Sequence, residues 1–262
     1  GNGPIKPTQV EREVRRVLAS REVAATLARF RDLGLSVEYH EVDVRDRDSV
    51  CEVMRKVMAR HGRITGLVHG AGVIEDRLIL DKTDDMFDRV FGTKVAGLVN
   101  LLEALEHQPL KVIVLFGSVS GRFGRQGQSD YAMANEALNK MAISAQLRRP
   151  SCRTVSINWG PWDGGMVTPE LKVAFERIGA PPMPLEAGCA AFLSELAVPA
   201  PGPAEVVIGS ELPVPSVAPQ PMIPAVKRPA APQNKMTVVF ERNLSAKRHA
   251  FLDSHIVGGN HV

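Results

Sequence analysis

The chain has 262 residues, of which 44% are hydrophobic and 23% charged, so neither global disorder nor a fibrous repeat fits it. Its formal charge of +3 is small and evenly spread, which argues against nucleic acid as a partner. Cys51, Cys152 and Cys189 lie far apart, which predicts no disulfide framework, no metal site and a reducing, cytoplasmic location. No apolar run is long enough for a membrane span and no signal-peptide core is present, so we expect no membrane association.

Helices and strands are predicted to alternate along the first 210 residues. Thr8 and Glu11 form a capping-box pattern before a helical apolar period over 10–33, and apolar alternation predicts a strand over 36–44. The remaining predicted elements are a helix capped by Asp46 or Asp48 that ends near Gly62, a strand over 64–68, a helix over 84–105, a strand over 111–115, a helix ending near 147, a strand over 153–158, helices through 196 and a strand over 205–208. This order predicts an α/β fold with a doubly wound parallel sheet, Rossmann-like, with ligands beyond the carboxyl ends of the strands.

The start and the end of the sequence indicate three parts. A dinucleotide-binding sheet opens with a strand, a Gly-x-Gly-x-x-Gly turn and a helix, but Gly1-Asn2-Gly3 is followed by Pro4 and has no preceding strand. We therefore expect 1–210 to be a domain that lacks its first βαβ unit. Prolines crowd the stretch from 199 to 232, which predicts a Pro-rich linker over 211–233 and the truncated start of a second domain over 234–262.

Four polar residues form the strongest candidate site. Tyr131 and Asn135 are one helical turn apart, Ser118 ends the preceding strand, and Lys94 lies upstream. A tyrosine can act as an acid near neutral pH if a cation such as the Lys94 ammonium lowers its pKa, while Ser118 holds the substrate carbonyl and Asn135 orders a proton relay. The alternative is ordinary packing for the tyrosine and a local turn hydrogen bond for the serine.

Five sequence segments contain these residues or accompany them. They are His69-Gly70-Ala71-Gly72-Val73, Thr93-Lys94-Val95-Ala96-Gly97, Phe116-Gly117-Ser118-Val119-Ser120-Gly121, Gly127-Gln128-Ser129-Asp130-Tyr131-Ala132-Met133-Ala134-Asn135 and Asn158-Trp159-Gly160-Pro161-Trp162. With these motifs the chain resembles the ketoreductase domains of polyketide and polyunsaturated fatty acid synthases, members of the short-chain dehydrogenase/reductase superfamily. Most of that superfamily has its lysine four residues after the tyrosine. Here Asn135 stands at that position and Lys94 lies far upstream, which is a mark of the synthase ketoreductases.

The resemblance implies a role for each matched residue. Tyr131 would be the proton donor, Ser118 would orient the ketone, and Lys94 and Asn135 would complete the tetrad. It also implies NADPH as the cofactor and, as the substrate, a β-ketoacyl chain on an acyl carrier protein, with other domains of the same megasynthase as partners. The residues matched to cofactor contacts are Asp43, Val44, Gly70, Ala71, Gly72, Lys94, Tyr131, Gly160 and Pro161.

The resemblance also extends to substrate orientation. Ile74-Glu75-Asp76 stands where relatives with the B-type hydroxyl product carry Leu-Asp-Asp, and Phe123 stands where relatives with the opposite outcome carry Trp. Glu75, Asp76 and Phe123 therefore favour the B-type product. Trp162 and Met166 match the start of a substrate lid, although packing is an equally simple role for both.

The segment near the end of the sequence points to a different fold. Phe251 to Gly259 is similar to the opening of a synthase dehydratase, a double hot-dog fold, with His255 at the position of the catalytic base. Because a carboxylate partner is not present in this sequence, we expect His255 to be inert here. The alternative for the chain as a whole is a non-catalytic structural or docking fragment of the megasynthase, since the glycine-rich cofactor turn is absent.

Overall fold

A computed structural model describes residues 7–164, 167, 169–177 and 179–209, together with the strand residues 256, 257, 260 and 261. The chain divides into two units, Gly1–Val214 and Pro215–Val262. In the second unit, strand β5 (Ile256–Val257) pairs antiparallel with strand β6 (Asn260–His261). The predicted boundaries at 210 and 233 and the dehydratase-like His255 lie outside the described residues, so they stay predictions.

The first unit alternates helices and parallel strands. Its helices are α1 (Pro7–Asp32), α2 (Arg47–His61), α3 (Asp84–Ala104), α4 (Val119–Phe123), α5 (Ser129–Arg148), α6 (Pro169–Arg177) and α7 (Leu185–Ala197), and its strands are β1 (Gly66–His69), β2 (Val112–Ser118), β3 (Arg153–Trp159) and β4 (Glu205–Ile208). A 3-10 turn at Ile79–Asp81 precedes α3. The four strands pair in the order β1-β2-β3-β4, all parallel. The predicted α/β fold with a parallel sheet is confirmed.

Helices cover both faces of this sheet. Neighbouring residues of a strand point to opposite sides, so each strand contributes side chains to both layers of the core. Ile113 and Leu115 of β2 pack with Leu98 of α3 and Leu138 of α5 on one face. On the other face Val114 packs with Val155 and Ile157 of β3, against partly buried residues that include Phe192 of α7. All seven residues of β3 are buried, so this strand forms the centre of the unit.

Helix starts follow local chemistry. The Asp46 carboxylate accepts hydrogen bonds from the backbone N–H groups of Asp48 and Ser49, which confirms the predicted cap of α2. The first helix begins at Pro7, so Thr8 lies inside it and the expected capping box does not mark its start. None of the described helices combines the length and the apolar character that crossing a bilayer requires.

The strand expected over 36–44 is wrong. These residues form no β-ladder in the described part of the chain, and β1 pairs only with β2. A strand needs a neighbouring backbone for its hydrogen bonds, and apolar alternation alone does not supply one. Instead the segment is held by side chains: Glu38 pairs with Arg60 and His61 of α2. The Asn100 amide of α3 donates to the Val44 carbonyl.

Candidate active site

The start of α5 meets the end of β2 at the carboxyl edge of the sheet. Tyr131 lies in the first turn of α5, and Asn135, one turn later, donates its amide N–H to the Tyr131 carbonyl at 2.7 Å. Ser118 is the last residue of β2, and its hydroxyl oxygen accepts the Ser120 backbone N–H at 3.2 Å. Gly121 permits this close packing, since a Cβ there would lie 3.0 Å from the Asn135 Cβ. The three residues therefore converge, as their spacing predicted.

Lys94 reaches the same point from α3. Its side chain is buried, and its ammonium donates to the Phe116 carbonyl of β2 at 2.9 Å. The Nζ atom lies 5.5 Å from the centroid of the Tyr131 ring. Behind it, the buried His69 ring donates from Nε2 to the Lys94 carbonyl at 2.9 Å. The amine and the phenol that the sequence proposed as partners thus lie next to each other.

Burial is the largest influence on the pKa values of Lys94, His69 and Tyr131. It lowers the pKa of Lys94 to about 8, and it lowers the pKa of His69 to about 4 with a smaller contribution from the Lys94 charge. Burial raises the pKa of Tyr131, and hydrogen bonding from Asn135 and Ser118 offsets only part of that rise. The net direction is opposite to the lowered pKa expected for Tyr131, because desolvation of the phenolate outweighs these hydrogen bonds, and the expected contribution of Lys94 stays a prediction.

The residues expected to orient the substrate lie in the segment after β1 and on α4. Glu75 forms a two-point ion pair with Arg89, at 2.6 and 2.8 Å. Asp76 accepts a hydrogen bond from the Gln128 amide at 3.0 Å, directly before α5. Phe123 ends α4 and is 51% exposed. The structure brings Asp76 to the start of the tyrosine helix and leaves Phe123 at the surface.

Two residues of this region were missed by sequence reasoning. Lys82 and Asp130 form an ion pair at 2.7 Å, and their side chains are 5% and 2% exposed. Asp130 directly precedes Tyr131 and lies within the quoted motif, but its partner is 48 positions upstream. No local pattern marks such a pair, so only the three-dimensional fold reveals it.

The loop after β3 is fixed by packing and backbone hydrogen bonds. Gly160 donates its N–H to the Ile208 carbonyl at 2.8 Å, and the Pro161 carbonyl accepts from the Met183 N–H at 2.7 Å. The Trp162 ring packs edge-on against Trp159, with centroids 4.8 Å apart. This contact gives Trp162 a packing role, which was the alternative to a lid. Met166 lies outside the described residues.

A dinucleotide fits the groups found at this edge. No atom lies within 4 Å of a Cβ built at Gly70, and a Cβ at Gly72 would lie 3.0 Å from the Lys94 side chain, so the backbone of 70–72 can approach both a ligand and the amine. Among the described residues the buried Asn135 Oδ1 has no hydrogen-bond partner, which leaves an acceptor for a ligand or a water. At the other end, Arg45 binds the Asp43 carboxylate and lowers its pKa. No cluster of His, Cys, Asp or Glu in the described chain is arranged to hold a metal ion.

Residues 13–164, more than half of the chain, match the protein family described as "KR domain". The chain belongs to this family. Over 265 aligned residues, and along its full length, it is 40% identical to a polyunsaturated fatty acid synthase of Thraustochytrium sp.. It is also 35% identical over 66% of its length to the polyketide synthase PksN of Bacillus subtilis. The chain spans only 9% and 3% of the lengths of these two relatives.

Solved KR domains share the fold. A ketoreductase domain from the bacillaene assembly line matches 80% of this chain with a TM-score of 0.65 and 30% identity, over 48% of its own length. An N-terminal ketoreductase from the macrolactin assembly line matches 79% of this chain with a TM-score of 0.64 and 28% identity, over 38% of its own length. The resemblance drawn from the motifs is confirmed for the KR domain, while the dehydratase-like start and the truncation stay predictions.

Proposed function

We propose that this KR domain chain reduces a β-ketoacyl thioester, carried on an acyl carrier protein, to the β-hydroxyacyl thioester with NADPH. One observation carries the proposal: Lys94, Ser118, Tyr131 and Asn135 converge from α3, β2 and α5, with Lys94 and Asn135 buried and Ser118 and Tyr131 half-buried. The synthase relatives support a substrate tethered to a carrier and partner domains in the same megasynthase.

The residues that would hold the dinucleotide lie along the carboxyl edge of the sheet. Gly70, Ala71 and Gly72 offer their backbone beside Lys94, and Asp43 with Val44 would contact the adenine end. On the nicotinamide side the matched residues are Lys94, Tyr131, Gly160 and Pro161. When bound, NADPH supplies a hydride to the β-carbon of the ketone.

Tyr131 then provides the proton. Hydride addition turns the C=O π bond into an alkoxide lone pair, and that oxygen takes the phenolic proton of Tyr131, so the O–H bond of the tyrosine breaks as that of the product forms. An alkoxide is far more basic than a phenolate, so this transfer is favourable although burial raises the pKa of Tyr131. The raised pKa keeps the proton on the phenol until the ketone needs it.

The remaining polar groups position the reactants. The Ser118 hydroxyl oxygen accepts from the Ser120 N–H, and its O–H, which hydrogen-bonds Tyr131 in this structure, would donate to the ketone oxygen when a substrate is bound. With a pKa of about 8, Lys94 is mostly protonated at neutral pH and stabilises the transient phenolate. The unpartnered Asn135 Oδ1 can hold a water that returns a proton toward Lys94.

Removal of the Tyr131 hydroxyl tests the proposal. In the full-length protein, Tyr131→Phe should lower kcat for a β-ketoacyl thioester by about 100-fold or more, since general acid catalysis contributes factors of that size. NADPH binding, followed by fluorescence titration, should be retained. Tyr39 is the other tyrosine of the chain and is 58% exposed, so Tyr39→Phe is the matched control and should leave kcat unchanged.

Two results would count against the reduction. Turnover that survives in Tyr131→Phe would remove the tyrosine from its role. A wild-type protein that neither binds NADPH nor reduces the thioester would favour the non-catalytic structural or docking role.

A further inference from the structure

A buried ion pair joins the segment after β1 to the start of α5. The Lys82 ammonium lies 2.7 Å from Asp130 Oδ2, and both side chains are almost fully removed from solvent. Burying two charges costs desolvation energy that their attraction only partly returns, so an apolar pair of similar volume serves stability equally well or better. Stability alone therefore does not account for this pair, and the backbone groups that it binds indicate another role.

Each partner also binds a backbone group. Lys82 Nζ donates to the Glu75 carbonyl at 2.9 Å, and Asp130 Oδ1 accepts the Tyr131 backbone N–H at 2.8 Å. The residue before the helix, Gln128, provides no side-chain cap, so Asp130 satisfies an N–H that the helix start leaves open. A continuous chain of hydrogen bonds thus runs from the Glu75 backbone through Lys82 and Asp130 to Tyr131.

Two further contacts run parallel to this chain. The Arg77 N–H donates to the Gly127 carbonyl at 3.0 Å, and Gln128 donates to Asp76. Both contacts end at residues that precede α5, so neither of them reaches Tyr131 itself. The ion pair is therefore the link that fixes the segment 75–82 directly to the tyrosine residue.

We propose that Lys82 and Asp130 are positioning residues that hold the segment 75–82 at a fixed distance from Tyr131 and so set which face of the ketone receives the hydride. The inference rests on the proposed reduction. Neither side chain touches the reacting atoms: both are bound to each other and to backbone groups. They act through the placement of Glu75 and Asp76 on one side and of the Tyr131 backbone on the other.

Three variants of the full-length protein separate positioning from stability. Lys82→Met removes the cation and leaves a buried carboxylate unpaired, so both stability and placement should suffer. The double variant Lys82→Met/Asp130→Asn leaves no unpaired charge and keeps an oxygen for the Tyr131 N–H, so it should recover thermal stability without recovering the link to Glu75. The control is Lys140→Met, which removes a lysine from the exposed Lys140–Glu136 pair of the same helix.

Four properties are measured for each variant: thermal stability, kcat/KM, the enantiomer ratio of the 3-hydroxyacyl product on chiral chromatography, and amide hydrogen exchange of peptides covering 74–82 and 127–135. We expect the wild type and Lys140→Met to give one enantiomer. Both Lys82 variants should give about 10% or more of the other enantiomer, with kcat/KM reduced about tenfold. Exchange in 74–82 should also become faster in both Lys82 variants.

The outcomes distinguish this inference from the proposed function. If the double variant regains stability and also gives the wild-type enantiomer ratio, the pair is merely structural and the inference is wrong. If the wild-type protein does not reduce the thioester, the proposed function fails, and the exchange data decide whether the pair links the two segments. Unchanged exchange in 74–82 of both Lys82 variants would overturn the link itself.

Discussion

The residues around Tyr131 and the segment 36–45 lie at opposite ends of the proposed cofactor site, and they are held in different ways. Around Tyr131, the fully buried strand β3, the largely buried strand β2 and the buried side chains of Lys94 and Asn135 provide the packing, and Lys94 binds the Phe116 carbonyl. The segment 36–45 has no ladder and relies on partly exposed ion pairs, such as Asp43–Arg45 with side chains 50% and 42% exposed.

This difference predicts that changes in the two regions affect different properties, catalysis at one and cofactor binding at the other. Buried contacts hold the proposed reacting groups in fixed positions, and general acid catalysis depends on such positioning. Exposed ion pairs contribute little stability each, so the proposed adenine end is held less firmly. Changes at the Tyr131 end should therefore alter stability and kcat, whereas changes at the 36–45 end should mainly alter the KM for NADPH.

The largest effect is expected in the packed core between α5 and the sheet. Leu138 is fully buried, so Leu138→Ala should lower the free energy of unfolding by about 2–5 kcal/mol. Val68 of β1 is 54% exposed, so Val68→Ala should cost less than about 1 kcal/mol. Urea unfolding, monitored by hydrogen exchange in peptides of α5, measures the loss in the free energy of unfolding for both variants. Equal losses would show that the outer strand is as firmly packed as the centre.

The same contrast limits what could be predicted from the sequence. The β-branched run over 111–115 located β2, the regular order of strands and helices located β3 and α5, and helical spacing placed Tyr131 and Asn135 on one face. Those features depend on residues close in sequence. The pairing of Lys82 with Asp130 and the lack of a ladder over 36–44 depend on which distant segments meet, and no local pattern encodes that.

Motif spacing also could not give the pKa of the phenol. Lys94 was expected to lower the pKa of Tyr131, but the direction depends on burial and on where the amine points, and both follow from tertiary packing. The glycine at 72 was identified by its motif alone. Its contact with the Lys94 side chain became apparent only in three dimensions.

A smaller effect, with a clear pH signature, is expected from Lys94→Met. Burial holds the pKa of Lys94 near 8, below its ordinary 10.5, so the folded state binds this proton less tightly than the unfolded state. The cost of the buried charge is then full below pH 8 and disappears as pH rises toward 10.5. Lys94→Met should abolish reduction yet raise the free energy of unfolding at pH 7, by up to about 3 kcal/mol.

Unfolding measured between pH 7 and pH 10.5 checks the sign of this effect. The advantage of the Met variant over the wild type should shrink steadily across that range. A Met variant that is less stable than the wild type at pH 7 would mean that the bond to the Phe116 carbonyl outweighs the cost of burial.

The smallest effect is expected where the two regions are joined. Asn100 of α3 donates from one amide to the Val44 and Arg45 carbonyls, at 2.9 and 3.1 Å. Asn100→Ala should lower the free energy of unfolding by only about 1 kcal/mol, since Val44 still packs against Gly97. The KM for NADPH should rise several-fold with kcat unchanged, because Tyr131 and Lys94 keep their own contacts. Steady-state kinetics in the full-length protein measure both constants, and a fall in kcat as large as the rise in KM would show that the segment 36–45 and the reacting end are not independent.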